Sequence, residues 1–244
     1  MISRNMPMCQ AVLEHYRLLP LLPRFNIRLG FGEKCVEEVC RLNHVTTEFF
    51  MEISNAYLDD DYIPQTDLSL FPLGDLVGYL TSTHHYYLEV AIPKIERKIH
   101  QLLDGSALSE KERGLVSGFF DDYRKEFLEH VSREDKLVLP YILELEKEYM
   151  KEKPDAEFMK RLQVYTIRDF AREHDRLETS LENLSRLIIK YLPPFEDFDL
   201  CHQVLTDLSD LVRDLIDHAH MEDKVLVPRV AEIEQHLLRK SEAG

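Results

Sequence analysis

Two eleven-residue phrases in this chain have the same layout: His130-Val-Ser-Arg-Glu134-Asp-Lys-Leu-Val-Leu-Pro140 and His218-Ala-His-Met-Glu222-Asp-Lys-Val-Leu-Val-Pro228. Each places an imidazole and a carboxylate four residues apart, so on a helix both project from one face. Each phrase also has a herald, since His85 stands 45 residues before His130 and His174 stands 44 before His218. The order His, His-x3-Glu, His, His-x3-Glu predicts two similar helical hairpins facing one another.

The apolar period places these residues in a core. Val204, Leu208, Leu211, Leu215, His218, Glu222 and Val225 recur by threes and fours, as do Phe170, His174, Leu177, Leu181, Leu184 and Ile188. His85, Leu88, Ile92, Ile95, Ile99 and Leu102 form a third seam, and Glu126, His130, Glu134, Leu137, Tyr141 and Leu145 a fourth. Four such seams are what an up-down four-helix bundle buries. The expected fold is therefore all-α: a bundle over residues 75–240, preceded by a small helical N-terminal domain over 1–58 and a linker over 59–74.

Punctuation supports these limits. The first bundle segment ends before Asp104-Gly105. The second opens at Ser109-Glu-Lys-Glu112, which fits a capping box, and runs to about Lys151. Lys153-Pro154-Asp155 and Leu192-Pro193-Pro194 close the next two intervals, and the fourth segment runs from about Asp197 to Lys240. Pro93, Pro140 and Pro228 lie inside predicted helices, where kinks or breaks are expected. In the N-terminal part, helices are predicted over Pro7–Leu19, Glu33–Leu42 and Val45–Leu58. Gly30 and Gly32 suit a loop needing positive φ.

Composition removes several functions. The net charge of −15 leaves no basic surface for phosphate backbones or anionic lipid, so neither nucleic acid nor membrane is an expected partner. No run approaches the roughly 20 apolar residues of a bilayer span, and the N-terminus lacks a signal-peptide core. Cys9, Cys35, Cys40 and Cys201 show no Cys-x2-Cys pair or secreted framework; Cys35 and Cys40, five apart, read as buried structural thiols ahead of ligands or reactive thiols, and a reducing cytoplasm is expected. No P-loop, dinucleotide fingerprint or nucleophilic serine motif occurs.

Carboxylates inside a bundle need a compensating charge. A metal supplies one. One His from each helix and one Glu from each phrase make four imidazoles and two carboxylates: His85, His130, Glu134, His174, His218 and Glu222. That set is too large for one tetrahedral zinc and suits two metals, with Glu134 and Glu222 bridging and room for a bridging oxygen and an exogenous ligand. Two non-haem irons are the first choice, ahead of manganese and zinc. A lone His-x3-Glu pair is more often an ordinary helix ion pair; the duplication tips the reading to metal.

These motifs resemble the hemerythrin-like (HHE cation-binding) family of di-iron four-helix bundles, over about Asp75 to Leu238. The whole chain is similar to the repair-of-iron-centres (iron–sulfur cluster repair) proteins, with Arg172-Glu-His-Asp175 and both His-x3-Glu phrases matching their ligand motifs. The resemblance implies that His85, His130, Glu134, His174, His218 and Glu222 ligate iron. It also implies a stress-response role at damaged iron–sulfur centres, through iron donation to client proteins or chemistry with NO or O2. In the N-terminal part, Phe25-Asn-Ile and Val36-Glu-Glu-Val-Cys40 resemble that family's small domain. However, Gly30-Phe-Gly32 stands where the family commonly has Cys-Cys-Gly, so 7–58 reads as a docking or homodimerisation module.

Other residues are weighed against bland alternatives. His84 could exchange roles with His85. His220 is turned about 200° from His218 and faces elsewhere. Glu89 and Glu178 are either partners holding imidazole tautomers or helix pairs. Glu126 and Glu173 could line a polar route. An O2 or NO sensor or carrier is the competing function, and an oxidase-type enzyme a third.

Overall fold

The computed structural model describes residues 1–59, 62–63, 65–67, 71–164, 166–172 and 177–242. Twelve α-helices account for most of them. No strand forms among the described residues, where β pairing is an isolated antiparallel bridge between Pro7 and Cys35. The chain divides into two compact units, Met1–Tyr86 and Tyr87–Gly244.

The first unit holds α1 (Met8–Glu14), α2 (Val36–Leu42), α3 (Thr47–Leu58) and α4 (Leu73–Tyr86). The predicted helix over Pro7–Leu19 stops at Glu14 and continues as the 3₁₀ turn Tyr16–Leu18. The second helix starts later than expected, at Val36, because Cys35 serves as its N-cap and its N–H donates to Glu38 at 3.0 Å. Gly30 (φ 103°) and Gly32 (φ 61°) take the left-handed conformations anticipated for them.

Aromatic packing joins α4 to this unit. Phe25 lies 5.1 Å from Phe50 and 5.3 Å from Tyr79, and Phe49 lies 5.2 Å from Phe71. Edge and tilted contacts of this kind add to the area each ring removes from water. Thr46 also donates to Asp75 at 2.8 Å. That packing is why α4 groups with residues 1–58 and the compact boundary falls at Tyr86, inside the predicted first bundle segment. Cys40 is wholly buried here, and burial pushes its thiol up to about 12.

The second unit is a helical bundle. Its helices are α5 (Ile92–Asp104), α6 (Glu110–Arg133), α7 (Leu139–Tyr149), α8 (Ala156–Leu162), α9 (Ile167–Arg172), α10 (Leu177–Tyr191), α11 (Phe198–Met221) and α12 (Val227–Glu242). Helices α5 and α10 each pack against both α6 and α11, closing a four-membered ring; farther along, α12 packs on α7, α8 and α9. The short Gly105–Ser109 connection makes α5 and α6 adjacent and antiparallel. The capping box at Ser109 is present: its N–H donates to Glu112 at 2.8 Å, while its hydroxyl accepts from the Glu112 N–H at 3.3 Å.

The internal prolines do not break the helices. Each is met by a π-turn just upstream: Tyr87–Ala91 before Pro93, Glu134–Val138 before Pro140, and Glu222–Leu226 before Pro228. A proline has no N–H to donate and its ring crowds the carbonyl four residues back; a wider turn relieves both problems. The surplus residue in each turn shifts the buried seam by one position. In the second segment Val138 and Ile142 are buried where Leu137 and Tyr141 were expected, and Leu137 is 66% exposed. In the fourth, Leu226 takes the place of Val225. In the first, Ile92, Ile95, Ile99 and Leu102 are buried as expected, but upstream of the turn the seam passes through His84 and Tyr87.

The third segment is divided as well. Thr166 restarts the chain at α9, its N–H and hydroxyl both donating to Asp169. The predicted residues Glu173 and His174 lie outside the described residues.

Candidate metal centre

Helices α6 and α11 present the two copies of the phrase in the same way. His130 closes the buried face of α6, and Glu134 opens the π-turn that follows; His130 Nε2 lies 3.1 Å from Glu134 Oε1. On α11 the pair recurs, with His218 Nε2 3.2 Å from Glu222 Oε1 and Glu222 opening its own π-turn. All four side chains are buried, Glu134 and Glu222 being only 1% and 3% exposed. The duplicated phrase is thus a duplicated structure: a histidine on the last α-turn, a carboxylate on the first residue of a π-turn, and a proline beyond.

The two copies converge. Glu134, His218 and Glu222 each offer a ligand atom, and these atoms lie within 4.8 Å of one another. Two carboxylates so close and so deeply buried repel when ionised, and water does little to screen them. A cation resolves that repulsion, and imidazole nitrogen with carboxylate oxygen is a donor set transition metals accept. The residues present therefore fit a bound metal.

In the first segment the two adjacent histidines separate cleanly. His84 is 1% exposed, whereas His85 is on the surface. The reason is the π-turn at Tyr87–Ala91. Counting back from Ile92 with α-helical spacing lands on His85, and the additional residue moves the buried position to His84. The sequence signal was available in Pro93, which stands six residues after Tyr87 just as Pro140 and Pro228 stand six after Glu134 and Glu222.

Packing around the site is aromatic. Tyr87 is fully buried, its ring 5.8 Å from His218 and 5.7 Å from Phe127, and Phe127 in turn lies 6.0 Å from Tyr123. The guanidinium of Arg133 sits 5.3 Å from the ring of Phe170 on α9. Sequence reasoning takes Tyr87 for a packing residue, as its buried ring contacts show it to be, but passes over Phe127 because the seam is phased on Glu126. Glu126 and Glu89 are exposed, which removes both from the buried site, and His220 faces outward as expected.

Among the described residues, no helix is long and apolar enough to cross a membrane. The chain is 23% identical over 220 residues to the iron-sulfur cluster repair protein YtfE of Musicola paradisiaca (strain Ech703), covering 87% of this chain and 90% of the relative. It is 21% identical over 232 residues to the iron-sulfur cluster repair protein YtfE of Edwardsiella ictaluri (strain 93-146), covering 94% and 98%. A family model described as the hemerythrin HHE cation binding domain matches residues 79–230, which include both His-x3-Glu phrases. Matched over more than half its length, the chain belongs to the hemerythrin HHE cation-binding domain family.

Proposed function

We propose that this chain is a non-haem di-iron protein that takes part in the repair of iron–sulfur centres. The single observation that carries the metal half of this reading is the convergence of Glu134, His218 and Glu222 within 4.8 Å in a buried bundle. The repair half rests on similarity to two iron-sulfur cluster repair proteins over most of both chains. The proposed ligands are His130, Glu134, His174, His218 and Glu222 with one first-segment histidine, where the burial of His84 supports that residue over His85.

The side chains divide the work by chemistry. Glu134 and Glu222 bring negative charge to the bundle interior, where each anion–cation attraction is far stronger than in water. His130 and His218 bring neutral nitrogen donors from the helical turn before each carboxylate. The buried rings of Tyr87, Phe127 and Tyr123 pack in sequence, and Tyr87 lies against the imidazole of His218. When bound, the iron pair supplies NO or O2 ligation and metal for transfer to a damaged cluster.

Metal analysis of anaerobically purified protein tests the first step. About two irons per chain are expected from a six-ligand, two-metal set. Glu134→Leu and Glu222→Leu should each reduce that content; unchanged content in both variants overturns the site. Incubation with an iron–sulfur enzyme lacking its cluster tests the second. Recovery of that enzyme's activity supports repair, whereas a reversible O2 adduct with no iron transfer would make this chain a carrier or sensor.

A further inference from the structure

Among the described residues three π-turns interrupt the long helices, and each opens on a buried residue: Tyr87 at 0%, Glu134 at 1% and Glu222 at 3% exposure. Each such residue is followed six places later by proline. Tyr87 therefore stands at the position in its segment that the two carboxylates occupy in theirs. It is a phenol where a third carboxylate would fit the pattern. Its hydroxyl donates to the backbone carbonyl of Asp214 at 3.1 Å, across 127 residues of chain. Its ring meets His218 edge-on, at 5.8 Å and 72°.

Those two contacts act on one helical turn. In α11 the Asp214 carbonyl is the acceptor for the His218 N–H, four residues on. The Tyr87 hydroxyl uses the second lone pair of that same oxygen. The phenol thus holds the start of the turn that ends at His218, and the ring limits rotation of the imidazole at its end. The structure assigns to Tyr87 the role of positioning residue for His218: the hydroxyl sets the backbone turn, the ring sets the imidazole, and a neutral side chain holds the carboxylate count at two. Only the link to metal rests on the proposed di-iron reading; the hold on His218 does not.

Two variants separate the parts. Tyr87→Phe removes the hydroxyl and keeps the ring, and Tyr87→Leu removes both. In metal-free protein, amide hydrogen exchange at His218 is measured against Leu208, on the same helix but remote from Tyr87. Loss of one buried hydrogen bond should raise the His218-to-Leu208 ratio about threefold to tenfold in both variants. A general loss of stability would move both amides together and leave the ratio unchanged. An unchanged ratio in both variants overturns the assignment.

The ring is tested in protein loaded with cobalt(II), whose d–d bands report ligand geometry. Tyr87→Leu should shift those bands, and Tyr87→Phe should leave them as in the wild type. Identical bands in a fully loaded Tyr87→Leu protein would overturn the orienting role of the ring. Wild-type protein that takes up no cobalt(II) would count against the metal centre itself, and the exchange ratio would still decide the hold on His218.

Discussion

Tyr141 donates a 2.5 Å hydrogen bond to Glu234 Oε1, tying α7 to α12, and the same oxygen accepts the Ile167 N–H at 2.9 Å. One buried carboxylate oxygen thus secures three helices beyond the metal centre. Burial raises the Glu234 carboxyl above its ordinary range, with the two donated hydrogen bonds only partly opposing that shift. Burial, reinforced by the carboxylate, also pushes the Tyr141 phenol up.

The sign of the resulting pH dependence follows by linkage. A carboxyl with a raised pKa in the folded state binds its proton more tightly there than in the unfolded chain. Its contribution is therefore fully present below the unfolded pKa and is lost as pH rises through the folded value. Glu234→Gln keeps an oxygen acceptor for Tyr141 and Ile167 while removing the ionisation. The variant should melt higher than the wild type at pH 7–8, and the difference should close toward pH 4. Each kcal/mol relieved corresponds to about 2–4 °C at this chain length. Thermal melts across that range check it, and a gap that widens on acidification would contradict it.

His84→Ala and His85→Ala should part company. The buried histidine is expected to matter for metal retention, so His84→Ala should lower bound metal per chain while His85→Ala keeps it. Metal content after identical desalting, with circular dichroism as the folding control, gives the answer. Equal retention in both variants would remove this residue pair from the ligand set.

Ser109→Ala should cost about 1 kcal/mol of stability, because it leaves the Glu112 N–H without its hydroxyl acceptor at the start of α6. The cap is about six helical turns from His130, so metal content should not change. Urea unfolding at constant metal loading measures the loss. A shift below a few tenths of a kcal/mol would mean that the Glu112 side chain alone carries the cap.

Metal removal should lower the melting temperature by mass action. A ligand present at one hundred times its dissociation constant adds about 2.7 kcal/mol to the folded state. Chelation should therefore depress the melting temperature of the wild type and leave Glu134→Leu nearly unmoved. Parallel shifts in both proteins would place the stabilising metal elsewhere.

Much of this architecture was legible because helical burial follows simple periods. The Val204–Leu215 seam, the Ser109 capping box and both His-x3-Glu pairs sit where their spacing puts them. What escaped was local. Three π-turns each add a residue that no uniform 3.6-residue count anticipates, which is why Leu137 faces solvent and His84 faces inward. The proline after each turn, which in sequence signals a kink or break, marks a change of helical winding. The compact boundary at Tyr86 escaped for a different reason: Tyr79 belongs with the aromatic cluster of Phe25 and Phe49, a contact across distant sequence that periodicity does not encode.

The π-turns also make each helix they interrupt a rod with a phase slip. Upstream and downstream of the slip, inward positions keep separate clocks, so the ligand-bearing half and the far half can change residues without disturbing each other's phase. A one-residue deletion inside Glu134–Val138 or Glu222–Leu226 would reset one clock against the other. Compatible length changes in relatives should therefore come as matched pairs in facing rods, each accompanied by loss of its proline.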